Sequence, residues 1–91
     1  MDKRILTQSE ICAFREHLIR EEKSVITIKK YLHDAMAFAV YTQGASVAKD
    51  MVLAYKRLLV GTYAVRSVNS KLASLGSLFS FLGWEDCKVK S

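Results

Sequence analysis

The sequence predicts an all-α fold, a bundle of four helices, and three observations carry that reading. The 91 residues contain no proline, apolar residues recur at three- and four-residue intervals in four separate segments, and glycine or hydroxyl residues punctuate the gaps. β-Branched residues gather only at Val25–Ile28, where the polar alternation of a half-buried strand is missing.

The first helix is expected over Gln8 to Glu22. Thr7 stands as N-cap with Glu10 three residues on, the spacing at which each side chain reaches the other's free backbone N–H. Ile11, Phe14 and Leu18, with Cys12 at the edge, form its apolar stripe. The second helix is expected after the N-cap candidate Ser24 and runs to about Thr42. Ile28, Tyr31, Leu32, Ala35, Phe38 and Ala39 share one side; Lys29, Lys30, His33 and Ala37 take the other. The third follows the Gly44-Ala45-Ser46 break, with Ser46 as its cap, Met51, Val52, Tyr55, Leu58 and Leu59 as its core positions, and Gly61 as its end. The fourth begins after Thr62 and runs to Leu82, before Gly83. Its apolar positions Val65, Val68, Leu72, Leu75, Phe79 and Leu82 are spaced 3, 4, 3, 4 and 3 apart. With no sheet available, each stripe must be covered by another helix.

Composition narrows the function classes. A 91-residue chain that is 51% hydrophobic can bury one core without a metal or a disulfide, and it is too short for a second domain. It holds no apolar run of the roughly 20 residues that cross a bilayer. Asp2, Lys3 and Arg4 lead into an amphipathic pattern rather than a secretory signal, so a cytoplasmic protein is expected. Cys12 and Cys87 lie far apart in no metal or redox spacing and are expected as reduced thiols. His17 and His33 lack ligand partners four residues on, so no metal is expected. No acid–base pair, phosphate loop or nucleophile motif is present, so an enzyme complete in itself, a cofactor and a small-molecule substrate are all disfavoured.

The net charge of +5 is unevenly placed. Residues 1–23 hold five basic and five acidic side chains, whereas Lys29, Lys30, Lys49, Lys56, Arg57, Arg66 and Lys71 face only Asp34 and Asp50. Such a surplus suits a polyanion, whose condensed counterions are released on binding; a modest positive charge also serves solubility alone. On the fourth helix, opposite the core stripe, lie Ser67, Ser70, Lys71, Ser74 and Ser77, flanked by Arg66 and Asn69. A slim polar face of this kind fits a major groove about 12 Å wide. The alternative is a serine face that is merely exposed or that packs a neighbouring helix through small residues.

These residues resemble the N-terminal core-binding domain of the tyrosine recombinases, the phage-integrase family. The opening Phe14…Leu18…Lys23-Ser24-x-x-Thr27-Ile28-x-x-Tyr31…Phe38 follows the family's order, as does Tyr55-Lys56-Arg57-Leu58-Leu59 in the third helix. The stretch from Arg66-Ser67-Val68-Asn69 through Leu72, Leu75 and Phe79-Ser80-Phe81-Leu82 is similar to the family's fourth helix. The likeness covers residues 8–84. Gly76 stands where the family often has a basic residue, Leu78 replaces the first of paired phenylalanines, and the Asn-Pro that often follows is absent.

The resemblance implies an orthogonal four-helix, SAM-like bundle that grips one side of a recombination site in double-stranded DNA. Cutting belongs to a C-terminal domain, towards which residues 85–91 read as a linker. None of the family's catalytic constellation can be placed on this chain, so Tyr31, Tyr41, Tyr55 and Tyr63 are not nucleophile candidates; Tyr31 and Tyr55 fall on core stripes. By analogy and by face, Ser24, Thr27, Lys29, Lys30 and His33 on the second helix and Arg66, Ser67, Asn69, Ser70, Lys71 and Ser74 on the fourth are the expected DNA contacts. Ser24 and Thr27 suit phosphates, and Asn69 and Lys71 suit base edges. His33 reads equally as a phosphate partner or a solvated surface histidine. The family also implies contacts between neighbouring protomers. The competing reading is a stand-alone helical module that binds another protein through the serine face or through Trp84, which otherwise caps the end of the bundle.

Overall fold

In the computed structural model, which describes residues 4–90, four α-helices follow one another: α1 (Gln8–Arg20), α2 (Val25–Thr42), α3 (Lys49–Thr62) and α4 (Val65–Leu82). Among the described residues one 3-10 turn, Glu85–Cys87, follows α4. Asp2 and Lys3 near the start of the sequence and Ser91 of the expected linker lie outside the described residues. The all-α, four-helix expectation is met.

Local chemistry sets most of the helix ends. Thr7 and Glu10 form the reciprocal capping box that starts α1, with Thr7 N–H donating to Glu10 Oε1 at 2.8 Å. The two hydrogen bonds from Thr7 hold the Glu10 carboxyl below its ordinary pKa. Ser24 Oγ accepts from Thr27 N–H at 3.1 Å to start α2. α1 stops at Arg20, two residues early, because Glu22 takes a left-handed φ of 57° and Lys23 N–H turns back to the Leu18 carbonyl. Gly83, at φ 76°, ends α4 in the same way: Gly83 N–H reaches the Ser80 carbonyl and Trp84 N–H the Phe79 carbonyl.

One expected cap is corrected. Ser46 does not start α3; it pairs with Ile5 in an isolated antiparallel bridge, and Ala48 is the N-cap without a side-chain bond. Val47, buried at 2% exposure, anchors this entry, and its N–H donates to the Arg4 carbonyl at 2.7 Å. α4, expected after Thr62, starts at Val65 with Ala64 as its N-cap and no side-chain cap bond. Gly61 does not stop α3, which continues to Thr62.

α4 is the central helix. It packs against α1, α2, α3 and the 3-10 turn, and its pairing with α2 is the most extensive in the molecule. Its buried surface is therefore wider than one stripe, taking in Ser74 and Leu78 as well as Val68, Leu72, Leu75 and Phe79. Phe38 of α2 lies edge-on to Phe79 at 5.8 Å and to Tyr55 of α3 at 5.0 Å, while Phe14 of α1 stacks over Tyr31 at 6.4 Å. Three expected core positions face solvent instead. Cys12 is exposed, Leu58 is 52% exposed and Val65 is 76% exposed, since these positions of α1, α3 and the first turn of α4 point away from the core.

The described part of the segment read as a linker, with Trp84 before it, lies against the bundle. Cys87 is fully buried, Trp84 stacks on Phe79 at 6.3 Å, and Lys56 Nζ donates to the Lys90 carbonyl at 2.6 Å. Arg4 grips both oxygens of Asp86 at 2.6 and 2.7 Å, tying the chain's first described segment to its last.

Candidate nucleic-acid interface

α2 and the first half of α4 run side by side and leave an open groove between them. Lys30 and His33 come from α2, Arg66, Ser67, Ser70 and Lys71 from α4, and Tyr63 from the turn before it. Six of the eleven expected contact residues thus converge on one concave surface. The groove is basic because three long cations approach it from two helices, while one carboxylate, Asp34, lies at its base.

Asp34 determines how these cations are held. It is 5% exposed, yet Lys30 Nζ lies 2.7 Å and Ser74 Oγ 2.6 Å from its Oδ2. Lys71 Nζ stands 3.9 Å from Oδ1 and 4.7 Å from the centroid of the Tyr63 ring. A buried carboxylate requires such partners, because desolvating it unpaired is costly.

The remaining expected contacts lie elsewhere. Ser24 and Thr27 sit at the exposed start of α2, where their hydroxyls bond each other at 2.9 Å. Lys29 flanks the opposite side of α2, beside Arg15 and Ile19 of α1. Asn69 faces the other flank of α4, towards Lys56 on one side and Lys88 on the other. Ser74 requires correction: it is fully buried, bonded to Asp34 and Lys30, and has no surface to offer DNA.

Asp34 and Tyr63 were missed by the sequence reading. For Asp34 the signal was present, since Tyr31, Asp34 and Phe38 share the 3-and-4 spacing of the core stripe, and Lys30 precedes Asp34 by four residues. Tyr63 gave no comparable signal, because its place depends on how the α3–α4 turn folds over Lys71.

Across residues 11–86 the chain matches the family model of the phage integrase N-terminal SAM-like domain. It belongs to that family. The SAM-like domain is the N-terminal part of phage integrases and other tyrosine recombinases, set apart from the domain that carries their catalytic tyrosine. Comparison of this SAM-like domain with curated proteins and with solved structures gave no match. Among its described residues no helix is long and apolar enough to cross a membrane, and no group of three His, Cys, Asp or Glu side chains could hold a metal ion.

Proposed function

We propose that this SAM-like domain binds double-stranded DNA as the core-binding domain of a site-specific tyrosine recombinase, gripping one side of the recombination site through the α2–α4 groove. One observation carries the reading: Arg66 and Lys71, with Lys30 and His33 beside them, converge from two helices on one concave face within a chain of net charge +5. Ser67 and Ser70 are short enough to let the duplex approach the α4 backbone. Lys29, Ser24, Thr27 and Asn69 lie on the flanks and meet DNA only if it wraps past the groove. In this reading residues 85–91 lead towards a C-terminal catalytic domain, and the protein works in the cytoplasm.

The test is fluorescence anisotropy of a labelled duplex across a salt series. Two or three phosphate contacts give a slope of log K against log salt of about −2 to −3. A flat line, or no binding at low salt, removes the DNA reading. A second partner class, a neighbouring recombinase protomer, is favoured by the exposed Val25 and Ile26 at the α1–α2 corner, 67% and 81% exposed. Sedimentation of the protein with and without duplex tests it; a monomer in both cases tells against it.

A further inference from the structure

Lys30 and Lys71 face the same carboxylate but are held in different ways. Lys30 Nζ donates to Asp34 Oδ2 at 2.7 Å, to Ser74 Oγ at 3.1 Å and to the Ser70 carbonyl at 3.2 Å. An ammonium group has three N–H donors, so all three are committed inside the protein. Lys71 Nζ, by contrast, is 3.9 Å from Asp34 Oδ1 and 4.7 Å from the Tyr63 centroid. Neither contact takes up an N–H donor in a hydrogen bond. Its side chain retains 24% exposure, so the cation is confined between a carboxylate and an aromatic face while still open to the groove.

Asp34 is fixed in turn. Ser74 and Lys30 both bond Oδ2, which leaves Oδ1 as the oxygen nearer Lys71. The chain of support therefore runs from Ser70 and Ser74 of α4, through Lys30 and Asp34 of α2, back to Lys71 of α4.

We propose that Asp34 is a positioning residue for DNA binding: with Tyr63 it holds Lys71 in a two-sided cradle, its three N–H donors uncommitted and ready for one backbone phosphate. The inference rests on the DNA-binding reading of the groove. Two effects of opposite sign make it testable. Counted as charge alone, Asp34 opposes a polyanion, and its removal should tighten binding. Counted as a support, it removes the rotamer freedom that a loose lysine must give up on binding, and its removal should weaken the complex.

The experiment uses the whole chain and a fluorescein-labelled mixed-sequence duplex of about 20 base pairs, titrated over a salt series. Lys71→Gln is expected to shallow the salt slope by about one. Asp34→Asn is expected to bind about three- to tenfold more weakly than the parent at low salt, despite its extra positive charge, and to cause no further weakening in a Lys71→Gln background. Tighter binding by Asp34→Asn, or equal weakening in both backgrounds, overturns the proposal. Should circular dichroism show Asp34→Asn unfolded, Tyr63→Leu supplies the same comparison from the exposed side of the cradle. Weakening of about two- to fivefold, confined to chains that keep Lys71, supports the proposal; no effect, or the same effect without Lys71, refutes it. A flat salt dependence of the parent protein would instead sink the DNA reading itself.

Discussion

Replacing Lys30 by methionine separates a residue that holds the bundle together from one that meets a ligand. Methionine keeps much of the unbranched stem but removes the charge and all three donors, leaving Asp34, 5% exposed, with the Ser74 hydroxyl at 2.6 Å and Lys71 at 3.9 Å. Removing one partner of a fully buried pair costs about 3–5 kcal/mol, and an exposed pair contributes about 0–1 kcal/mol. This pair is buried at the aspartate and 42% exposed at the lysine, and two partners of Asp34 remain, so an intermediate loss of about 2 kcal/mol is expected. For a domain of this size that lowers Tm by on the order of 10 °C. Urea denaturation followed by circular dichroism reads the change as a lower midpoint at constant m. Because Lys30 has no donor left for a phosphate, the salt slope for duplex binding is expected to stay within about half a unit of the parent's. A stability loss under about 0.5 kcal/mol, together with a slope shallower by one, would refute the reasoning and make Lys30 a phosphate contact.

Gly76 lies in the middle of α4 with open space where a Cβ would stand, so Gly76→Ala is expected to stabilise the domain by about 0.5–1 kcal/mol, read as a rise in Tm; a fall in Tm would show an unseen close approach. Thr7→Ala removes the α1 cap and is expected to cost about 1 kcal/mol in urea titrations at neutral pH. Glu10 has a depressed pKa in the folded state, so its contribution is present above the ordinary value of 4.5 and disappears as pH falls through the lower folded value. The gap between parent and Thr7→Ala should therefore narrow in acid, and a gap independent of pH counts against the capping box. Burial is the main force pushing the Cys87 thiol up, while Cys12 is exposed, so iodoacetamide should label one site in the native protein and two in denaturant by mass spectrometry; two labels on the native protein would mean that the last turn opens readily.

The helices were legible because their signals are local. Thr7 with Glu10, Ser24 with Thr27, and Gly83 act within a single turn of backbone, and the structure uses all three. What escaped the sequence depends on segments far apart. α3 starts at Lys49, with Ala48 as its N-cap, because Ile5 and Arg4 hold Ser46 and Val47, a constraint from more than forty residues upstream. Ser74 looked like a surface serine because a 3-and-4 stripe describes a helix with one covered side, and α4 is covered on several. Of the candidate site, the convergence of Arg66, Ser67, Ser70 and Lys71 followed from helical spacing. The division of labour between Lys30 and Lys71 did not, since it turns on which of two neighbouring cations reaches Asp34 within hydrogen-bond distance.

The clasp formed by Arg4 and Asp86 brings together residues 82 positions apart, beside the bridge that ties Ile5 to Ser46. With Arg4 and Asp86 in contact, the described residues come close to forming a closed ring. A short linker across the clasp and a new opening at the exposed Gly44–Ala45 turn would present the same four helices in a rotated order. The groove, built from α2 and α4, would then remain on one uninterrupted face.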